Sequence, residues 1–518
     1  MPSPPSRLPW ASGRRAVVAC ILLILVVSAG LRLWNLTSPG EYMFDEVYYA
    51  KDAKAILDGR MDPKRDYPWE PGDVVSWAHP DAGKMAIAVG IALFGDRPFG
   101  WRVSSVVAGL ALLACVFPVA RRLGLSRGWA LVALGLAAAD LLGIAQSRIA
   151  TLDIFVAAWT AVCVLCALRY VQDGRRGLWL AACGLAGGLA VATKWSGALA
   201  LVAAVAIVAL GDRIAALAPR DGARAGDHVP LGMKGARTAG LWDPVAIAAL
   251  VGALVALPAV VYVASYVPYF ADGHSLAHFR ELHSQMWHFN FTLSAPHSYA
   301  SAAPTWMVVY RPVWYSFVDE GAYFGVVAMG NPFLWWVGLA ALLAAPVLGI
   351  WRRVTLPLLP ALLVVVLYVP WFATGRTSFL YYMTPVAPFL AILVAAVAAT
   401  LVADQVPGRL RTTLATGVVA ALVAALAWDA IGRAAAFVFW DLPGRSSGGA
   451  ATATVVVAVA ALLAVVAVAF AQRRTRPLVV GLVLGAIVGI CVPFLTIVLN
   501  IGVPADEFYR LIWFTSWI

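Results

Sequence analysis

The run Phe44-Asp45-Glu46-Val47-Tyr48-Tyr49 places two adjacent carboxylates just beyond the first membrane-length apolar stretch. A carboxylate within hydrogen-bond reach of a hydroxyl can take its proton as that oxygen attacks an electrophile. Neighbouring side chains point about 100° apart on a helix and to opposite faces of an extended chain. One carboxylate can therefore face a reaction while the other supports it. Capping of a helix that starts near Val47 is the local alternative. Further charges sit at the ends of apolar runs: Lys84 within His79-Pro80-Asp81-Ala82-Gly83-Lys84, then Arg102, Arg148, Asp153, Lys194 and Arg376. Any one of these could snorkel to an interface or form a structural ion pair. As a group gathered on one side of a membrane, they suit a lipid-linked phosphate, whose charge cations meet with charge-assisted hydrogen bonds.

The elements that must position these residues follow from composition. The chain is 62% hydrophobic and 13% charged, which predicts an all-α polytopic membrane protein. Apolar runs place spanning helices near 16–33, 101–120, 128–145, 150–170, 178–193, 196–211, 243–268, 332–350, 355–373, 379–402, 412–436, 451–471 and 477–499. The shorter runs leave the count at about eleven to thirteen. The stretch from Ala16 to Leu33 follows Gly13-Arg14-Arg15, is too long for a signal core and lacks a small-residue cleavage site, so it reads as a retained anchor. With a cytoplasmic N-terminus, Arg121-Arg122, Arg175-Arg176, the basic 212–242 loop, Arg352-Arg353 and Arg473-Arg474 all fall inside. The net charge of +11 is then a record of topology and not a nucleic-acid-binding face.

The same threading divides the chain into an N-terminus and first helix (1–33), an extracytoplasmic loop (34–100), helices over 101–269 with a cytoplasmic loop at 212–242, a second extracytoplasmic loop (270–331) and C-terminal helices (332–518). Residues 48–57 and 85–94 have helical patterns too short to span and read as interfacial helices. The location expected is the cell membrane, multi-pass, with the chemistry on the extracytoplasmic side. No internal repeat points to a transporter built from paired halves.

Metal and nucleotide chemistry find little support. The six cysteines lie in apolar runs, and Cys163-x-x-Cys166 has no nearby partners to complete a ligand set. His278, His283 and His288 recur every five residues, a spacing that does not align ligands on one helical face. Acceptor or sugar binding is the better reading for the second loop, with His283, His297 and Arg311 as candidates beside His79 and Asp153. No glycine-rich phosphate loop is present, and the sequons at Asn35 and Asn290 are short enough to arise by chance.

Several blocks resemble, in order, those of protein O-mannosyltransferases of the bacterial, actinobacterial type. They are Phe44-Asp45-Glu46-Val47, His79-Pro80-x-x-Gly83-Lys84, Gly100-Trp101-Arg102, Gln146 to Asp153, Ala192-Thr193-Lys194-Trp195-Ser196-Gly197, Tyr310-Arg311-Pro312, Gly330-Asn331-Pro332, Arg376 to Tyr382 and Arg510-x-x-Trp513. Asp81 departs from the family, which more often has a second proline there. The resemblance implies a C-type glycosyltransferase fold that carries mannose from polyprenyl-phosphate mannose to Ser or Thr of exported polypeptides. It further implies Asp45 as base, Glu46 as binding or orienting the acceptor, Arg102 near the active site, and Lys84, Lys194 and Arg376 as donor-phosphate contacts, a set that Arg102 and Arg148 join as cations on the same face. No cofactor is demanded, a divalent metal is left open, and docking on the secretion channel is left open too. A related enzyme that transfers a lipid-phosphate sugar to a lipid or glycan is the alternative.

Overall fold

The computed structural model describes residues 13–59, 78–174, 176–211, 214, 244–292, 294–352, 354–402, 409–426 and 475–518. The expected helix at 451–471 and the basic 212–242 loop lie outside the described residues. The first helix, α1 (Arg14–Leu33), has twenty residues, which at 1.5 Å each spans about 30 Å, the thickness of a bilayer core. Its Leu22, Leu23 and Val26 are exposed, as lipid-facing side chains of a spanning helix must be. Six described helices are long and apolar enough to cross a membrane, and several shorter apolar helices accompany them.

Two short helices, α2 (Glu46–Leu57) and α3 (Ala82–Phe94), follow. They occupy the segments expected to lie along the rim. Tyr49, Ala50 and Ala53 of α2 pack against Ile87, Ala88 and Ile91 of α3 and against Trp101 and Leu112 of α4 (Pro98–Arg122). The next expected helix is broken into α5 (Arg127–Ala138) and α6 (Leu141–Gln146). The cause is Asp140, whose Oδ2 accepts from the Gly143 amide at 3.2 Å and so starts a new helix. Its Oδ1 accepts from the Asn331 amide at 3.1 Å and the Trp335 indole at 2.9 Å. One buried carboxylate thus ties this break to α13 (Pro332–Arg352).

Next come α7 (Asp153–Gln172), α8 (Gly177–Thr193), α9 (Ala198–Ala209) and α10 (Pro244–Ala264). Inside α10, Gly252–Ala256 forms a π turn just before Pro258. Proline has no N–H to give the preceding turn, and the wider turn takes up the mismatch. After α11 (Val267–Ala271) and α12 (Leu276–Thr292) the all-α expectation meets an exception. β1 (Val313–Asp319) and β2 (Tyr323–Ala328) pair antiparallel, with Val313 opposite Ala328 and a bulge between Trp314 and Ser316. The run Val313-Trp314-Tyr315-Ser316-Phe317-Val318 is β-branched and aromatic, and Glu320-Gly321 supplies the turn.

The remaining helices are α14 (Leu358–Tyr368), α15 (Ala387–Val402), α16 (Arg409–Leu426), α17 (Arg476–Phe494) and α18 (Ala505–Leu511). Residues 495–518, grouped by sequence with the C-terminal helices, fold back onto the hairpin. Val503 bridges Tyr323, the Trp517 indole donates to the Val309 carbonyl at 2.7 Å, and the Trp314 indole donates to Trp517 at 2.6 Å.

Helices α16 and α17 meet through Gly481, Gly485 and Gly489, one turn apart each. A methyl group on Gly485 would lie 2.1 Å from the Gly417 carbonyl oxygen, and on Gly481 2.4 Å from that of Thr413. Small residues at this spacing let two helix backbones touch where no hydrophobic drive separates helix from lipid. Gly485→Leu should therefore lower the thermal stability of the detergent-purified protein by an overpacking cost of about 1–3 kcal/mol. Leu482→Ala, on the half-exposed side of the same helix, should stay within about 0.5 kcal/mol. Equal melting shifts for the two would contradict this packing.

Candidate active site

The C-terminal ends of α1 and α8 meet the N-terminal ends of α4 and α7, and the functional candidates collect where they meet. Glu46 and Arg102 are both fully buried. Arg102 Nε donates to Glu46 Oε1 and Arg102 Nη2 to Oε2, each at 2.8 Å, a bidentate pair. Glu46 also accepts from the amides of Met43 at 2.9 Å and Ala150 at 3.0 Å. Arg102 spends its remaining donors on the carbonyls of Leu36, Pro39 and Glu41. This departs from the expectation that Glu46 meets the acceptor and that Arg102 meets the donor: neither has an atom left to offer.

Arg148 is likewise withdrawn. Its guanidinium donates to the carbonyls of Leu31, Arg32 and Asn35 at 3.1, 2.9 and 3.3 Å. These lie at the end of α1, where carbonyls lack helical partners and the helix dipole favours a cation. Lys84, another expected phosphate contact, is sealed between Asp81 at 3.0 Å and Asp52 at 3.2 Å. Arg311 pins the loop to the chain end through the carbonyls of Ser298 and Ser516. His283 accepts from or donates to the Tyr262 hydroxyl at 2.8 Å within an aromatic cluster. His297 packs edge-on to Phe379 at 4.9 Å.

Four of the expected residues, Asp45, His79, Lys194 and Arg376, do line one cavity of about 210 Å³. Tyr48, Tyr49, Ala78, Phe289, Phe379, Tyr381 and Tyr382 complete its wall. Lys194 donates to both oxygens of Asp153, at 3.0 and 3.1 Å, and lies over the Tyr382 ring at 4.4 Å. Asp153 opens α7 and Lys194 ends α8, so each charge also complements its helix dipole. Arg376 donates to the Asn290 side-chain carbonyl at 2.8 Å and lies over Phe289 at 5.2 Å. Among the described residues it has no carboxylate partner.

Asp45 has no hydrogen-bond partner for its carboxylate among the described residues. Burial pushes its pKa up to about 7; the Lys194 charge pulls it down and Asp153 pushes it up. A carboxylate with that value is a usable base near neutral pH. His79 is held well below the usual histidine range by burial and by Lys194, Arg376 and Lys84, so it is neutral, and its Nδ1 has no partner among the described residues. The backbone just before Asp45 is left-handed, with φ +45° at Phe44, a conformation that costs a non-glycine residue about 1–2 kcal/mol.

Sequence reasoning passed over the cavity's aromatic wall and Asn290. Phe379-x-Tyr381-Tyr382 stands out in sequence as a block, and Asn290 stands out only as a sequon. Paired amphipathic signals, a lone asparagine on a helix with aromatics on either side, were the available clue to an inward-facing edge.

Loss of the buried pair should register as instability. Glu46→Ala leaves Arg102 buried and unpaired, a loss of about 3–5 kcal/mol. Asp45→Asn should act in the opposite sense. Because the folded-state value of Asp45 lies above the unfolded one, its contribution is present below about pH 4 and lost as pH rises through about 7. The asparagine variant should melt above the native protein at pH 8 and lose that advantage at pH 4. Thermal unfolding of both variants across pH checks this; a stable Glu46→Ala protein would contradict it.

Known proteins resemble this chain along most of its length. A family model described as the C-terminal four TMM region of protein-O-mannosyltransferase matches residues 275–441. Another, dolichyl-phosphate-mannose-protein mannosyltransferase, matches 78–218. The polyprenol-phosphate-mannose–protein mannosyltransferase of Mycobacterium tuberculosis is 30% identical over 477 residues, covering 79% of this chain and 85% of the relative. The protein of the same name from Mycolicibacterium smegmatis is 28% identical over 442 residues, with 73% and 81% covered. In fold, the chain is similar to the Saccharomyces cerevisiae protein O-mannosyltransferase Pmt1-Pmt2 complex bound to the sugar donor, with a TM-score of 0.67, 12% identity, and 97% and 92% covered. It is also similar to the arabinosyltransferase EmbB of Mycobacterium smegmatis, with a TM-score of 0.52, 13% identity, and 96% and 42% covered.

Proposed function

The chain belongs to the protein O-mannosyltransferase family, and from that premise we propose how its cavity carries out the transfer. The protein is a multi-pass membrane glycosyltransferase of the C-type fold. It moves mannose from polyprenyl-phosphate mannose to Ser or Thr hydroxyls of exported polypeptides. The observation that carries the mechanism is a carboxylate without a hydrogen-bond partner among the described residues, Asp45, in the same cavity as a guanidinium without a carboxylate partner, Arg376.

Asp45 accepts the hydroxyl proton as the oxygen attacks the sugar C1, and the bond from C1 to the phosphate oxygen breaks on the opposite face. The anomeric centre is inverted. Negative charge moves onto the departing lipid monophosphate, where Arg376 and Lys194 receive it. Arg376 is free to turn from a neutral amide, whereas Lys194 is already shared with Asp153. The tyrosines and Phe379 supply flat faces for the sugar ring and its hydroxyls. His79, being neutral, can accept or donate one hydrogen bond to the sugar without adding charge. No cofactor enters this scheme, since one phosphate is met by two cations. The active site faces the extracytoplasmic side of the cell membrane and the N-terminus is cytoplasmic, a reading supported by the arginine distribution.

In an assay of protein in nanodiscs, with polyprenyl-phosphate mannose and a Ser/Thr-rich peptide, mass spectrometry should detect the mannosylated peptide. The rate should rise with pH through an acid limb near 7, as Asp45 ionises. Asp45→Asn should lower turnover by roughly 10² to 10⁴-fold and remove that limb. Retained turnover in this variant would give the base role to another group. A sugar appearing on lipid or glycan acceptors but never on the peptide would replace the acceptor class.

Arg376→Gln should weaken donor use by about ten- to a hundredfold, the loss of one charge-assisted contact of about 1.5–3 kcal/mol. The effect should appear in KM for the lipid donor more than for the peptide. Unchanged donor kinetics would leave Arg376 as a support for α12 through Asn290.

A further inference from the structure

Asp45 and Glu46 are neighbours in the chain and end in opposite surroundings, one in the cavity and one fully buried against Arg102. The backbone enters the pair through Phe44, the residue just before them, which is left-handed with φ +45°, and Asp45 and Glu46 then diverge as neighbours at a helix start do. Nothing about a phenylalanine favours that conformation, so its ring must be held. The ring lies 5.1 Å from that of Tyr315 and 5.9 Å from that of Tyr381. Tyr315 is itself fixed: Gln146 Nε2 donates to its hydroxyl at 2.7 Å, and the Thr151 hydroxyl donates to Gln146 Oε1 at 2.7 Å. Thr151 follows Ala150, whose amide holds Glu46. Phe44, Tyr315 and Gln146 do not line the cavity.

We propose that Phe44 is a positioning residue: its ring, clamped by Tyr315 and Tyr381, holds the left-handed turn that sets the rotation of the helix start, so that Asp45 faces the cavity and Glu46 the core. The relay Thr151–Gln146–Tyr315 fixes the clamp from the same segment that binds Glu46, so both acidic residues are set from one place. The proposal rests on the reading of Asp45 as the base.

The charged and titratable groups that face Asp45 come from four further segments: Asp153 from α7, Lys194 after α8, His79 before α3 and Arg376 before α15. The tyrosines around it, including Tyr49 of its own helix, are pushed up by burial and do not ionise near neutrality. A change in the acid limb therefore reports the surroundings of Asp45.

The test compares Phe44→Ala, Phe44→Leu and Tyr315→Phe with Asp45→Asn in the nanodisc assay, over pH 5 to 9. Phe44→Ala removes the held ring and keeps the backbone penalty. Turnover should fall by about a hundredfold, the effect of a misplacement on the order of 1 Å. KM for the lipid donor should stay near the native value, and the acid limb should move to lower pH as water reaches Asp45. Phe44→Leu should recover much of the rate. Tyr315→Phe keeps the ring and loses the Gln146 bond, so it should shift both readouts in the same direction by less.

A folded Phe44→Ala protein with native turnover and a native limb overturns the proposal. Should Phe44→Ala not fold, Tyr315→Phe decides, and a native profile there overturns it equally. An active Asp45→Asn protein would instead remove the base reading, a result distinct from an inactive Asp45→Asn beside a native Phe44→Ala.

Discussion

A carboxylate and a guanidinium placed out of reach of water must satisfy each other and most of their remaining lone pairs and N–H groups, or the fold loses about 3–5 kcal/mol. Glu46 and Arg102 meet that demand through two mutual bonds, two amides and three carbonyls. The partners come from residues 36–46, the start of α4 and the start of α7. The same segments also pack through Tyr42, Trp101, Ala150 and Leu152, and the pair adds the directional bonds that fix the loop's register on the helices. Arg148 fixes the end of α1 to the same segment. Asp45 is one peptide unit from this junction, and its place in the cavity is inherited from it.

The division of charges follows the same logic. Lys84 is committed to Asp81 and Asp52, and Lys194 to Asp153. Asp45 and Arg376 are left facing the cavity with no opposite charge bonded to them among the described residues. Burial disfavours the charged form of Asp45 and outweighs the pull of Lys194, which brings its pKa up to about 7. The cost in stability and the capacity to take a proton are one property of the same group.

Much of this was legible in the residues. Spanning runs, the two short helices after α1 and the gathering of charges at one end follow from apolar length and arginine placement. The split between Asp45 and Glu46 follows from adjacency. Which carboxylate faces the cavity is implied by the family resemblance and not by the residues themselves, because it depends on Arg102, fifty-six residues away, and on the left-handed turn at Phe44. The pairing of Lys84 with Asp52 is not legible from spacing, because Asp52 belongs to another helix. The break at Asp140 was hidden within an apolar run, since its cause lies in Asn331 and Trp335. The hairpin was obscured by aromatics equally suited to an interfacial helix, and the glycine row of α17 passed as ordinary apolar sequence.

The most direct measurement is a cryo-EM structure of the Asp45→Asn protein with polyprenyl-phosphate mannose and a Ser/Thr peptide bound. The account predicts the acceptor hydroxyl within hydrogen-bond distance of residue 45, the phosphate against Arg376 and Lys194, and Glu46 still closed on Arg102. A phosphate seated on Arg102, or an acceptor hydroxyl on Glu46 with the pair opened, would contradict it.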